Sequence, residues 1–150
     1  MFHVVLVEPE IPPNTGNIGR LCVAAGATLH LVHPLGFQIN DRELKRAGLD
    51  YWPHLKLREW PDWDAFAGAL PASQRCFFLT TKSTRNYALQ RFEPGDYLVF
   101  GRETRGLPAS LLAAHPEQVL TIPMAPEARS LNLATAVGIV LYEARRQNLS

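Results

Sequence analysis

The chain has 150 residues, of which 47% are hydrophobic and 19% are charged, and its formal net charge is +1. This length fits one domain over residues 1–150, and the composition excludes a disordered, collagen-like or coiled-coil protein. No apolar run approaches the roughly 18 residues of a membrane span, and the first residues lack the basic segment of a signal peptide, so we expect a cytoplasmic protein. The near-zero charge excludes nucleic-acid binding over the whole surface, so that a nucleic-acid partner would need a local basic patch.

Strands and helices alternate in the first half of the chain. A short β-branched run predicts a strand over 3–7, which two prolines end. A helix follows, with Asn14 or Thr15 as its N-cap and Gly26 at its end. The next elements predicted from periodicity and end signals are a strand, a helix, a strand and a helix, over 28–32, 41–48, 54–58 and 62–70.

The second half continues this alternation. Strands are predicted over 75–80, 97–100 and 119–122, with a loop over 81–96 and a short helix over 108–114. A C-terminal helix is indicated by apolar residues at helical spacing, namely Leu133, Val137, Val140, Leu141 and Ala144. Strands that alternate with helices throughout a chain predict an α/β domain with a mostly parallel sheet flanked by helices.

Ligands of an open parallel sheet bind at the carboxyl ends of its strands, so the loops that follow strands are the candidate site. The first such loop, 13–20, has small residues and leads into a helix N-terminus, a combination that favours an anion. It matches neither the GxGxxG fingerprint nor the phosphate-binding P-loop. Arg20 lies one helical turn after Gly16 and is predicted to face the same site.

Two later loops are also unusual. The loop over 100–108 follows an apolar strand and combines Gly101 and Gly106 with charged side chains, a composition that packing does not explain. The loop over 122–133 is long and leads into the C-terminal helix. Ser130 and Asn132 are both suitable helix caps, and capping explains only one of them.

These three loops resemble the three signature motifs of the SpoU class of SPOUT methyltransferases. The matching stretches are 14–20 (NTGNIGR), 100–108 (FGRETRGLP) and 122–124 (IPM) with 129–133 (RSLNL). The stretches 7–13, 46–51 and 80–82 make the resemblance closer to the short, single-domain tRNA (cytidine(34)-2′-O)-methyltransferases. The resemblance covers essentially the whole chain.

The resemblance implies a fold, a reaction and partners. The implied fold is an α/β sheet whose C-terminal part forms a deep trefoil knot. The implied reaction transfers a methyl group from S-adenosylmethionine to a ribose 2′-hydroxyl, leaving S-adenosylhomocysteine. Its target is the wobble nucleotide, a cytidine or modified uridine at position 34, in the anticodon stem-loop of leucine tRNAs. The family is dimeric, with each site completed by the partner chain.

The resemblance also implies two sets of site residues. The cofactor pocket is expected to have apolar walls and backbone hydrogen bonds suited to an adenine ring and a ribose. Its candidates are Leu79, Thr80, Gly101, Glu103, Gly106, Ile122, Pro123, Met124, Ser130 and Leu131. The catalytic or substrate-positioning candidates are Arg20, Asn14, Glu103, Ser130 and Asn132. Glu103 has two alternative roles, to attract the sulfonium cation or to orient Arg20.

The chemistry of arginine limits the role of Arg20. Family accounts assign its equivalent a part in deprotonating the hydroxyl, but a guanidinium is effectively always protonated in proteins. We therefore expect Arg20 to hydrogen-bond the hydroxyl or the adjacent phosphate and to stabilise developing negative charge. The phosphate or solvent then accepts the proton.

The predicted helix over 41–48 places Arg42, Lys45 and Arg46 on one face, because these positions are three and four residues apart. That face is either an ordinary solvated surface or a surface that contacts RNA phosphates. With Arg129, these residues are the candidates for substrate RNA binding, since phosphate contacts position a nucleic acid on a protein.

Other functions have weaker support. Cys22 and Cys76 have no CxxC partner and the five histidines lack metal-ligand spacing, so we expect two buried thiols and no metal. One alternative is a methyltransferase that acts on another RNA. A second alternative is a non-catalytic RNA-binding module, because 16–19 (GNIG) matches the GXXG backbone clamp of KH domains. An enzyme must bind S-adenosylmethionine without RNA, whereas such a module need not.

Overall fold

A computed structural model describes residues 1–40, 42–48 and 51–149. Its sheet has six strands: β1 (His3–Val7), β2 (Thr28–Val32), β3 (Leu57–Trp60), β4 (Cys76–Leu79), β5 (Tyr97–Phe100) and β6 (Val119–Leu120). The strand order is β3-β2-β1-β5-β4-β6. Every pairing between these strands is parallel, which confirms the predicted sheet type.

The described ranges contain five α-helices: α1 (Pro12–Ala25), α2 (Arg42–Gly48), α3 (Trp63–Ala69), α4 (Ala109–Ala114) and α5 (Leu133–Gln147). The first four lie between strands, and α5 follows β6. Short 3₁₀ turns occupy Trp52–His54, Tyr87–Leu89 and Pro116–Gln118. The helices cover both faces of the sheet, because a parallel sheet must bury both of them.

The central strand β1 shows how the two faces are built. Val4 and Leu6 point to one face and pack in the same cluster as residues of α1 and α5. Val5 and Val7 point to the other face, where they pack with Phe66 of α3. Because successive side chains of a strand alternate, an all-apolar β1 supplies both layers of the core.

Three predicted elements have at least one boundary that differs from the structure by two residues or more. Helix α1 begins at Pro12, and its N-cap is Ile11 rather than Asn14 or Thr15. The two prolines start the helix because their fixed φ and missing N–H suit its first turn. The strand predicted over 54–58 lies later, at Leu57–Trp60, because a 3₁₀ turn precedes it. The strand predicted over 119–122 ends at Leu120.

Helix α1 carries two glycines on the face that α2 covers. A Cβ atom added at Gly16 would lie 2.7 Å from the Cβ of Ala47, and one added at Gly19 would lie 3.0 Å from the ring of Trp52. The missing side chains therefore let α2 and the 3₁₀ turn that follows it pack closely on α1. Gly26 ends α1 in the left-handed conformation, with φ of 68°.

Candidate active site

A cleft of about 620 Å³ opens at the carboxyl ends of β4, β5 and β6. It is lined by strand-end residues, by the loop over 101–106, by the loop over 121–131 and by the first turn of α5. Of the predicted cofactor residues, those that line it are Leu79, Thr80, Gly101, Glu103, Gly106, Ile122, Met124, Ser130 and Leu131. Pro123 is not among the lining residues, and it is exposed.

The loop after β5 forms a tight closed turn beside this cleft. Arg102 N–H donates to Gly106 C=O at 3.2 Å, and Gly106 N–H donates to Arg102 C=O at 2.9 Å. Gly106 has φ of 66°, a conformation that favours glycine. A Cβ atom on Gly101 would collide with the backbone of Gly106 and Leu107. Both glycines are therefore required by the shape of this wall.

The opposite wall presents unpaired backbone. Between Ile122 and Leu131, one backbone–backbone hydrogen bond occurs within the described chain, from Ala128 N–H to Ala125 C=O at 3.0 Å. The peptide groups beside the cleft are thus available to hydrogen-bond a ligand. Together with the apolar side chains of Leu79 and Leu131, they make a pocket suited to a flat heterocycle with polar edges.

Glu103 links the three motifs through hydrogen bonds. Its carboxylate accepts from the backbone N–H groups of Glu10 and Ile11, both at 2.8 Å, and from the Asn14 side-chain amide at 3.3 Å. Asn14 Oδ1 in turn accepts from Asn132 Nδ2 at 3.0 Å. Asn132 Oδ1 accepts from Thr135 N–H at 3.3 Å and so caps α5. One chain of hydrogen bonds therefore joins the start of α1, the loop after β5 and the start of α5.

These hydrogen bonds give Glu103 a contact set that differs from both of its predicted roles. Glu103 orients Asn14 and the segment before α1, and the structure shows no contact between Glu103 and Arg20 among the described residues. The alternative in which Glu103 orients Arg20 has no support within one chain, and attraction of the sulfonium by Glu103 stays a prediction. Of the two candidate caps of α5, Asn132 is the one that caps the helix, and Ser130 lies on the cleft wall.

Two acidic residues outside the predicted site, Glu8 and Glu10, also form bonds in this region. Glu10 Oε1 accepts from Thr104 N–H at 3.1 Å and from Thr104 Oγ1 at 2.7 Å, and these bonds lower the pKa of Glu10. Glu8 forms an ion pair with Arg102 and adopts a positive φ of 54°. The sequence signal was present, since two acids follow the first strand and an arginine-rich loop follows β5.

Arg20 lies apart from this network. It is exposed, and its guanidinium carbon lies 4.8 Å from the centroid of the Tyr51 ring. It comes six positions after Asn14, which is about 120° around a helix of 3.6 residues per turn. Arg20 does not line the cleft. The prediction that it faces the site of the other motif residues is therefore wrong for a single chain.

The predicted RNA-binding residues lie on two surfaces. Arg42 and Arg46 are exposed on α2, and Arg129 is exposed on the rim of the cleft. Lys45 belongs to α2, but its side chain lies outside what the structure describes. Lys82 and Arg105 also line the cleft. The rim of the cleft thus has the local positive charge that a near-neutral chain needs to attract RNA.

The two cysteines are free thiols that lie wholly or partly inside the protein. Cys22 is buried and Cys76 is half-buried, and burial raises the pKa of their thiols to about 12 and about 11. The second thiol is thus less enclosed than predicted.

Across the residues that the structure describes, no group of three His, Cys, Asp or Glu side chains is placed to hold a metal ion. In those same ranges, no helix has the length and apolarity to cross a bilayer.

Residues 1–142 match the model of the SpoU rRNA methylase family. The chain belongs to the SpoU methylase family. A relative from Burkholderia pseudomallei (strain 1106a), named tRNA (cytidine(34)-2′-O)-methyltransferase, is 53% identical over 149 residues, which cover 98% of this chain and 96% of the relative. The resemblance predicted from the motifs is confirmed.

Solved structures of SpoU proteins agree with this assignment. One, concerned with 2-OH methylation of C/U34 on tRNA, is 50% identical, has a TM-score of 0.95 and is matched over 99% of this chain and 96% of its own. Another is the SpoU methyltransferase AviRb from Streptomyces viridochromogenes in complex with the cofactor AdoMet. It is 26% identical, with a TM-score of 0.84 over 97% of this chain and 60% of its own. SpoU methyltransferases thus use S-adenosylmethionine.

Proposed function

We propose that this SpoU protein transfers a methyl group from S-adenosylmethionine to the ribose 2′-hydroxyl of nucleotide 34, a cytidine or modified uridine, in leucine tRNAs. It does so as a single domain over residues 1–150, in the cytoplasm, where tRNA is found. The observation that carries the proposal is the cleft at the strand ends, whose walls are built by the motif residues and tied together through Glu103. The names of the relatives at about 50% identity supply the nucleotide.

The cleft fits S-adenosylmethionine in size and chemistry. Its volume of about 620 Å³ lies within the usual range for small-molecule sites. Leu79, Ile122 and Leu131 offer apolar contact to an adenine ring, while the unpaired peptide groups of the loop over 122–131 offer hydrogen bonds to its edge and to the ribose. When bound there, the cofactor supplies an electrophilic methyl group on a sulfonium.

The residues of the chain then have distinct roles. Glu103, Asn14 and Asn132 hold the cleft walls in place, since their polar groups are used on one another and on backbone. Ser130 is exposed on the cleft wall and can contact the cofactor or the ribose. Arg20 donates hydrogen bonds to the 2′-hydroxyl or its neighbouring phosphate and stabilises negative charge as the proton leaves to phosphate or solvent.

The position of Arg20 supports a homodimer as part of the same proposal. Within one chain it lies over Tyr51 and outside the cleft. A second copy that presents its α1 face to this cleft would bring Arg20 to the reacting ribose. The exposed arginines of α2 would then extend the basic rim of the partner's cleft toward the anticodon stem-loop.

The deep trefoil knot also belongs to this proposal. Asn132, at the start of α5, hydrogen-bonds to Asn14, 118 positions earlier, and Asn14 is held by Glu103 from the loop after β5. Contacts around one cleft between segments this far apart in the chain support a C-terminal segment that threads a loop.

The alternative of a non-catalytic RNA-binding module loses its basis. Its support was the GXXG sequence at 16–19, which needs glycine backbone open to RNA. Ala47 covers Gly16, and Trp52 and Leu55 cover Gly19. These glycines instead let α2 and the following 3₁₀ turn pack closely against α1.

The testing experiment has two stages. Calorimetric titration with S-adenosylmethionine and S-adenosylhomocysteine is expected to show saturable binding near one ligand per chain. Methyl transfer is then measured on leucine tRNA, on a tRNA of another specificity and on ribosomal RNA, and the methylated nucleotide is mapped. Methylation of nucleotide 34 in leucine tRNA alone supports the proposal, whereas transfer only to ribosomal RNA refutes the tRNA target and absence of binding and transfer refutes the enzyme.

A further inference from the structure

Tyr51 supplies the one ring contact of the Arg20 guanidinium in the described part of the chain. The guanidinium carbon lies 4.8 Å above the ring centroid, well within the distance at which a cation is attracted to an aromatic face. Arg20 forms no ion pair among the described residues, and it is exposed. An exposed arginine without further contacts samples many rotamers, so among the described residues the ring of Tyr51 is what orients this charge.

The local structure fixes Tyr51 in turn. Trp52, the next residue, lies against Gly19, the residue before Arg20, where a Cβ atom would come within 3.0 Å of its ring. The 3₁₀ turn is closed by hydrogen bonds from His54 N–H to Tyr51 C=O at 2.9 Å and from Leu55 N–H to Trp52 C=O at 3.1 Å. Two consecutive aromatic residues therefore pack on two consecutive residues of α1, one filling the space of a missing side chain and the other supporting the arginine.

We propose that Tyr51 is a positioning residue for methyl transfer, with its ring holding the planar guanidinium of Arg20 in the orientation that the reaction requires. This inference rests on the proposed function. In this inference, the packing of Trp52 on Gly19 fixes Tyr51, and Tyr51 in turn orients Arg20 before the substrate binds. Because Tyr51 does not line the cleft, it acts on the chemical step and leaves cofactor binding alone.

The test compares Tyr51→Phe, which keeps the ring, with Tyr51→Leu, which removes it. For each variant we would measure kcat and KM on tRNA, S-adenosylmethionine affinity by calorimetry, and melting temperature by circular dichroism. We expect Tyr51→Leu to lower kcat roughly 5- to 10-fold and Tyr51→Phe to stay within about twofold of the parent, in keeping with the usual strength of such contacts. KM for tRNA and the affinity for the cofactor are expected to change by less than about twofold.

A second comparison separates positioning from simple packing. In an Arg20→Gln background, measured by single turnover, Tyr51→Leu is expected to change the rate by less than about twofold, because two residues that act through one contact are not additive. A full loss in that background would overturn the inference, since it would show that Tyr51 acts without Arg20. An equal loss of kcat in Tyr51→Phe and Tyr51→Leu would also overturn it, because the hydroxyl would then be the active group.

The remaining outcomes are equally decisive. A rise in KM for tRNA with kcat unchanged would overturn the inference in favour of base stacking on Tyr51. Parent-like kcat in a folded Tyr51→Leu protein would overturn it as well. These results differ from a failure of the proposed function, in which the unsubstituted protein itself transfers no methyl group to tRNA.

Discussion

The two halves of helix α1 are held in different ways. At its N-terminal end, one carboxylate from Glu103 accepts hydrogen bonds from two backbone N–H groups and from Asn14, which passes the linkage on to α5. In its second half, Arg20 is exposed, and its guanidinium packs on one aromatic ring in the part of the chain that the structure describes. Charge-assisted hydrogen bonds in a partly buried network fix geometry more firmly than one cation–π contact on the surface.

This difference distinguishes a cleft that one chain forms by itself from an arginine that lies outside the cleft of its own chain. The cleft at the strand ends and the hydrogen-bond network of Glu103, Asn14 and Asn132 are both formed within a single chain. Arg20 is oriented by its own chain but lies away from that chain's cleft. We therefore expect substitutions at the two ends of α1 to have separable effects, on cofactor binding at one end and on catalysis at the other.

The largest effect is expected from Arg20→Gln. Removal of a charged hydrogen-bond donor from a transition state costs about 100- to 1000-fold in kcat, and Arg20→Lys should lose at least about 10-fold because it lacks the planar fork. Steady-state methyl transfer to tRNA measures both. S-adenosylmethionine affinity serves as the control and should stay within about twofold, since Arg20 does not line the cleft. Near-parent activity of Arg20→Lys would show that the fork is not needed.

A mixture of two variant chains tests whether Arg20 serves the cleft of its own chain or that of its partner. If Arg20 serves the partner's cleft, an Arg20→Gln chain combined with a Gly101→Val chain restores one intact site in each mixed dimer. Random reassortment of two such chains after unfolding and refolding together should recover about a quarter of the parent activity, given a symmetric dimer. The two inactive proteins refolded separately are the control. No recovery, with mixed dimers shown to form by mass spectrometry, would place Arg20 and the cleft in the same chain.

Gly101→Ala tests whether the tight loop after β5 is needed for the cleft to bind S-adenosylmethionine. Its Cβ atom would meet the backbone of Gly106 and Leu107, which cannot move aside as a flexible side chain can. Overpacking of this kind costs about 1–3 kcal/mol, and we expect S-adenosylmethionine affinity to fall roughly 10- to 100-fold in calorimetric titrations. The matched control is Gly68→Ala, in the interior of α3, where a Cβ atom meets nothing within 4 Å. Parent-like affinity of Gly101→Ala would contradict the tight loop geometry.

Glu103→Ala tests how much the hydrogen-bond network of Glu103 contributes to the stability of the fold. It leaves the N–H groups of Glu10 and Ile11 without their acceptor, and we expect a loss of about 1.5–3 kcal/mol of unfolding free energy, as for hydrogen bonds to a charged group. Urea unfolding followed by circular dichroism measures it. Glu127→Ala, at an exposed position, is the control and should change stability by less than about 0.5 kcal/mol. A Glu103→Ala protein as stable as its parent would mean that the network adds nothing to the fold.

Local patterns in the sequence predicted most of the elements. The strands β1, β2 and β5 and the helix α5 follow from apolar runs and helical spacing, which are properties of neighbouring residues. The cleft walls followed because ligands bind where parallel strands end and because three motifs resemble a known family. Pro123 shows the limit of a motif, since its neighbours Ile122 and Met124 line the cleft and it does not.

The remaining features depend on contacts between distant segments. Asn14 is a good helix cap by local preference, but Glu103, 89 positions later, and Asn132 use its side chain instead. Gly16 and Gly19 suggest a backbone open to a ligand until α2 and Trp52 are found against them. The orientation of Arg20 likewise depends on Tyr51, which approaches α1 only through that packing. No periodicity within α1 contains this information.

The smallest effect concerns a third kind of contact, on the sheet face opposite α1. His30 is buried, with Trp60 Nε1–H donating to its Nδ1 at 3.1 Å and its Nε2 lying 2.9 Å from His3 Nδ1. The indole donor requires an unprotonated Nδ1, so His30 is neutral and donates from Nε2 to His3. Burial, followed by the neighbouring His3 and Arg58, lowers the pKa of His30 to about 4.

Stability should therefore fall as the pH drops. Between the ordinary histidine pKa of about 6.5 and the folded value of about 4, the unfolded chain binds a proton that the folded chain does not, so unfolding free energy decreases by up to about 1.4 kcal/mol per pH unit. Urea unfolding at pH 7.5, 6.0 and 5.0 measures this slope. In His30→Gln, whose amide oxygen can still accept from Trp60, the slope should be shallower.

The same titration separates the two faces of the sheet. The affinity of the folded protein for S-adenosylmethionine should stay within about twofold from pH 7.5 to 6.0, because the Glu103 network lies on the α1 side, away from His30. A slope in His30→Gln as steep as that of the parent would assign the pH dependence to other groups. A loss of affinity that parallels the loss of stability would show that the Glu103 network beside the cleft depends on the sheet face that holds His30.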